Sequence, residues 1–231
     1  MNYSDLADEK SGFEDFLASC EHAKKVSLLA TVDGLLQWDE QTMLPSAAGN
    51  FRAEQAASLA AITHAQRTQK AQGERLEKLA ESSLATNGPE VVQATIRLLR
   101  EDFQKQSRVP GKLVEEIART SIEAQQEWVA AVEASEWEKM VGHLKKMFSL
   151  KRELAACQSP ELDPYDALMD DYEPGARWRS VDSTFSKLRK ALAPLVRGCF
   201  ESTKGPQDRA LRGVFPLQAQ QVFVRQIIEK I

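Results

Sequence analysis

The sequence has little cysteine, little histidine and no long apolar run. Cys20, Cys157 and Cys199 lie far apart and are odd in number. They make no C-x-x-C pair and no disulfide framework, so a reduced chain with buried, inert thiols is expected. No stretch reaches the roughly 18 uncharged apolar residues that a membrane span needs. The best candidate, VSLLATVDGLLQW, is interrupted by Asp33. The start, MNYSDLADEKSGFEDF, is acidic and lacks the apolar centre of a signal peptide. Net charge is −4 with both signs mixed along the chain. No basic stripe is present, which argues against a general nucleic-acid binder, and no block of like charge forms a tail. The expectation is a cytoplasmic protein with neither nucleic acid nor membrane as partner.

Catalytic motifs are also missing. The three histidines, His22, His64 and His143, have no second histidine four residues away, and no H-E-x-x-H occurs. They read as structural or surface groups. No G-x-S-x-G elbow and no glycine-rich phosphate loop is present. The acidic run DPYDALMDDYEPG carries Asp163, Asp166, Asp170, Asp171 and Glu173, but Leu168 stands where an EF-hand loop needs glycine. A capped acidic helix is the better reading. Trp38, Trp128, Trp137 and Trp178 read as core aromatics on helix faces rather than stacking platforms. No residue is therefore assigned a catalytic, cofactor-binding or metal-binding role.

What is present is helical periodicity throughout, and the chain reads as a single all-α domain over residues 1–231. Phe13, Phe16, Leu17, Cys20, Val26, Leu29, Val32 and Leu36 recur at helical spacing. Gly34 weakens that helix without breaking it, and Pro45 ends it. A second helix starts near Arg52 with a stripe of small residues, Ala53, Ala56, Ala57, Ala60 and Ala61, suited to close helix approach. It is predicted to run past His64 toward Leu84, with Asn87-Gly88-Pro89 as the stop. Val92, Ile96, Leu99 and Phe103 share a third helix face. Val109-Pro110-Gly111 opens a long stretch up to Ser159-Pro160, with a bend or break near Ser135 or Gly142. Asp163 caps a short helix begun by Pro164, with Asp166 adding charge to its first turn. Two more helices follow, near residues 180–200 and 216–231.

Several segments then add up. WDEQTMLP followed by FRAEQAASLAAITH supplies Trp38, Asp39, Pro45, Arg52, Ala53, Gln55 and His64. VPGKLVEEIARTSIEAQQEW, KRELA, PYDALMDDYEPG and FPLQAQQVFVRQI follow in order. Together they resemble the N-terminal region of the Taq-type zinc carboxypeptidases, across nearly the whole chain. There are departures. Ser46-Ala47-Ala48-Gly49 replaces the family's Gly-Gly, Ala131-Val132 its Ala-Arg pair, and EWEKMVGHL its Phe-rich stretch. The resemblance implies the helical N-terminal half of a zincin-type carboxypeptidase, forming a wall and partial lid over a substrate cleft. It implies that the H-E-x-x-H helix lies in a catalytic half that this chain lacks. Zinc is then expected only with that half, and the chain alone is expected to be inactive, its partner being a catalytic-half polypeptide. The alternative is a stand-alone helical module that binds a peptide or protein, or forms a homodimer through the apolar face of residues 217–231, where Ile231 ends the chain without a cap. Within this frame Trp38 is expected to anchor a helix end in the core, with Asp39 capping or pairing with Arg52.

Overall fold

The structure is a computed structural model that describes residues 3–202 and 213–230, and every regular element among them is helical. None of these helices is long and apolar enough to cross a membrane. Close contacts divide the chain into two compact units, Met1–Trp178 and Arg179–Ile231.

In the first unit, α1 (Tyr3–Thr42) is continuous through Gly34, where a side chain would meet open space. Its inward side carries Gly12, Phe16, Ser19, Val26, Leu29, Asp33 and Leu36, spaced three, four or seven residues apart. This is one stripe of the expected apolar face only. Phe13, Leu17 and Val32 belong to the outer side and are exposed. The small residues Gly12 and Ser19 hold the buried positions where α1 packs against α3 (Lys70–Ala80) and α4 (Ser83–Asn87). The helix ends where Met43 and Leu44 N–H groups both bond the Asp39 carbonyl and Pro45 turns extended.

A 3-10 turn (Ser46–Ala48) leads into α2 (Gly49–Arg67). Its alanine stripe works as expected. Ala53, Ala56 and Ala57 are buried, and α2 packs on α6 (Gly111–Ala134), where Ile122 meets Ala53 and Ala56. The expected run toward Leu84 is broken twice. The Thr68 N–H and hydroxyl both turn back to the His64 carbonyl, at 2.9 and 2.8 Å, and Gln69 is extended. A side chain that competes for helix carbonyls explains the break, and periodicity does not register it. A second core lies under α3 and α5 (Glu90–Ser107): Leu76, Leu79 and Ile96, flanked by Phe16, Val92, Leu99 and Phe103.

The long stretch after Pro110 breaks at Ser135, which takes the left-handed conformation (φ 57°) between α6 and α7 (Glu138–Gln158). Gly142 lies inside α7, which continues through it. The acidic run folds as a capped helix, α8 (Pro164–Met169). Asp163 accepts from the Tyr165 N–H at 2.9 Å, and buried Asp166 accepts from the Trp178 N–H at 2.6 Å. Asp170 accepts from the N–H of Gly175, whose φ of +79° closes the turn, and Lys105 bridges Asp170 and Asp171. These carboxylates serve caps and ion pairs.

The tryptophans and one cysteine correct the core reading. Trp38, Trp128 and Trp137 are about half exposed or more, Trp178 is half-buried, and Cys199 is exposed. An aromatic at helical spacing marks a face, and only packing decides whether that face is covered.

The second unit contains most of α9 (Trp178–Glu201) and all of α10 (Leu217–Ile228). On α9, Phe185, Leu188, Leu192, Leu195 and Phe200 form an exposed stripe, and Leu217, Val222, Phe223 and Ile227 are exposed on α10. Ile231, expected to continue that face, lies outside the described residues.

Candidate functional site

The C-terminal turns of α1 place Asp33, Leu36, Gln37, Glu40 and Gln41 on one face, at helical spacing. That face looks across a cleft of about 420 Å³ toward α2 and α6. Ala30, Ala56, Ala60 and Ala118 line it. Side chains that stop at Cβ leave the meeting of three helices unfilled. Leu59, Val114, Ile117 and Ile122 give it apolar walls. A wider compartment of about 1180 Å³ continues past the end of α1 toward Trp128, Met140 and Met147. Glu40, Gln41, Ser121 and Gln125 line both parts, so the two form one groove.

The cations of this groove are all committed to other groups. Arg52, with its side chain only 8% exposed, donates to Asp39 at 2.5 Å, to Gln55 at 3.0 Å and to the Leu36 carbonyl. Arg67 binds Asp102 of α5 through two hydrogen bonds. The His64 ring bonds the Val109 carbonyl at 2.9 Å. The anions differ. Asp33 accepts only a neutral donor, the Gln37 amide at 2.6 Å. Glu40 Oε1 is buried and has no hydrogen-bond partner, and burial pushes the Glu40 carboxyl above its usual range against the pull of Arg52. At the narrow end Asp33 and Glu40 thus form no ion pair, although Arg52 acts on Glu40 electrostatically.

Of the residues singled out in the sequence, Asp39, Arg52 and Gln55 come together in one network that ties the end of α1 to α2. His64 lines the same groove, while Trp38 is on the outer side of α1. Glu40 and Gln126 were not singled out. The signal for Glu40 was its position seven residues after Asp33, on the same helix face.

The described residues do not fit a catalytic zinc. His22 bonds the Gln66 carbonyl and His64 that of Val109, His143 is on α7, and no group of three or more His, Cys, Asp or Glu is gathered to hold a metal among them.

Residues 18–231 match the family model for carboxypeptidase Taq (M32) metallopeptidases. This chain belongs to that family. It is 30% identical over 217 residues to thermostable carboxypeptidase 1 of Thermus thermophilus, covering 90% of this chain and 42% of that protein. The M32 carboxypeptidase structure from Deinococcus radiodurans superposes with a TM-score of 0.74 at 28% identity, covering 94% of this chain and 43% of the other. Metallocarboxypeptidase 1 of Trypanosoma cruzi shares the fold, with a TM-score of 0.72 at 22% identity, over 94% of this chain and 44% of its own. The M32 chain described here thus spans less than half the length of the relatives it matches, and aligns with the helical N-terminal half expected from its motifs.

Proposed function

We propose that this chain supplies the N-terminal, cleft-forming part of a zinc carboxypeptidase that removes C-terminal amino acids from peptides, and that alone it is not catalytic. The observation that carries this reading is a family match over residues 18–231 by a chain that covers 42% of its Thermus relative. Two further features support it. The sequence holds no H-E-x-x-H, and a metallopeptidase of that type needs both histidines and the glutamate on one helix. The apolar stripes of α9 and α10 are exposed, and faces of this kind mark contact with further polypeptide. A polypeptide bearing the catalytic half is the partner this assigns, with the metal held there. The test incubates the purified chain with Zn²⁺ and a short peptide and measures release of the C-terminal residue. No release is expected from the chain alone, and release is expected after mixing with a separately produced catalytic half of a relative. Chelator-sensitive release by the chain alone would overturn the inactive reading.

A second reading is a free-standing helical module that pairs with its own copy through α10. Exposure of Leu217, Val222, Phe223 and Ile227 favours it. Sedimentation of the chain decides: a dimer lost on Phe223→Ser supports pairing, and a monomer at all concentrations removes it.

A further inference from the structure

We propose that the groove floored by α2 and walled by α1 and α6 seats an amphipathic helix of the catalytic-half polypeptide. This rests on the partner reading above and deepens it, by naming the surface on this chain that the partner covers and the element that covers it.

Shape is the first argument. α1 and α6 each pack along α2, and among the described residues no comparable packing joins them to one another. The 420 Å³ groove follows α2 from Arg52 to Arg67, which at 1.5 Å per residue is a length of about 22 Å. Its floor is Ala56, Leu59, Ala60 and Thr63, one face of α2 in three- and four-residue steps. The α6 wall repeats those steps through Val114, Ile117, Ala118 and Ser121. In a bundle, the corner between two helices that share a neighbour is filled by a fourth helix, whose anchors recur at the same steps. Chemistry is the second argument. Leu36, Leu59, Val114 and Ile117 are only half-buried in this chain, and alanine at 56, 60 and 118 leaves room for large side chains to enter. Gln37, Gln41 and Ser121 line the same groove and are exposed, so an apolar floor carries polar edges, as interfaces do. Arg52 and Arg67, at its two ends, are held by Asp39 and Asp102 of this chain, which leaves apolar burial as the driving force. Length supplies the occupant. This chain covers 42% of its Thermus relative, so more than half of that protein has no counterpart here. A helix of about fifteen residues from that remainder spans the groove.

The test co-expresses the full chain, carrying an affinity tag, with the part of the Thermus protein that has no counterpart in it, and measures how much of that part co-purifies. Recovery in equal amounts is expected. No recovery would overturn the partner reading, and this inference with it. Ala60→Trp puts a bulky ring on the groove floor and is expected to lower recovery about tenfold, the scale of one overpacked contact. Val91→Trp, at an exposed position of α5, is expected to leave it unchanged. A complex that forms as well with Ala60→Trp would overturn the groove while leaving the partner reading intact. A second measurement does not depend on how that variant folds. A benzophenone photo-cross-linker replaces exposed Gln37 on the α1 wall or exposed Ser121 on the α6 wall. Both are expected to capture one and the same partner segment, at residues three, four or seven apart. Capture of unrelated segments, or of residues in strict alternation, would refute the helix. Capture of a second copy of this chain would give the groove to self-association and overturn the assignment.

Discussion

Replacing Asp39 by alanine isolates the contact that ties the end of α1 to α2. The Arg52 side chain is 8% exposed and that of Asp39 36%, so the pair is neither fully buried nor a surface pair. Exposed pairs contribute up to about 1 kcal/mol. Removing one partner of a fully buried pair costs about 3–5 kcal/mol. Arg52 would keep two acceptors, the Leu36 carbonyl and Gln55, which limits the loss. The expected cost of Asp39→Ala is therefore about 2 kcal/mol, between those limits. For a unit of this size that is a fall in melting temperature of roughly 4–8 °C. Circular dichroism at 222 nm through a thermal ramp measures it. Asp39→Asn keeps an acceptor and should lose about half as much. In the double variant Asp39→Ala/Arg52→Met, the stranded charge is gone, so the losses should fall short of additive by about 1 kcal/mol or more. A fall of less than 1 °C for Asp39→Ala, or strict additivity in the cycle, would refute the reasoning.

Burial raises the Glu40 pKa, so the folded state holds its proton to higher pH than the unfolded chain does. The ionised carboxylate therefore costs stability as pH rises above its unfolded value. Glu40→Gln should raise the melting temperature at pH 7 and lose that advantage near pH 4. The opposite sign applies to Asp170, which the Gly175 N–H, and then Lys105, hold below the usual carboxylate range. Its contribution is present above the unfolded pKa and is lost as pH falls through the folded one, so Asp170→Asn should flatten the acid limb of a stability–pH curve. Ser135→Gly should stabilise by up to about 1 kcal/mol in urea unfolding, because the left-handed conformation costs a serine about 1–2 kcal/mol and glycine's extra chain entropy returns part of that. Ala53→Leu should destabilise by about 1–3 kcal/mol by forcing α2 from α6, and an unchanged denaturation midpoint would deny that their approach is close.

Periodicity and punctuation alone determined the helical class, the end of α1 before Pro45, a break near Ser135 or Gly142, of which the structure takes Ser135, and the Asp163 cap. They are local matters of backbone and neighbouring side chains, legible wherever a residue acts within a turn of itself. The ordered motifs from Trp38 to Phe215 also carried the family. Only tertiary structure decided which faces are covered. Trp38 and Glu40 are two residues apart on one helix; one faces outward and the other into the groove, though the aromatic looked like core. The Arg52–Asp39 pair was legible because thirteen residues and one turn separate its members. The commitment of Arg67 to Asp102, 35 residues away, was not. Charge balance in a groove is a sum over helices distant in sequence, and pattern within one helix holds no information about that sum.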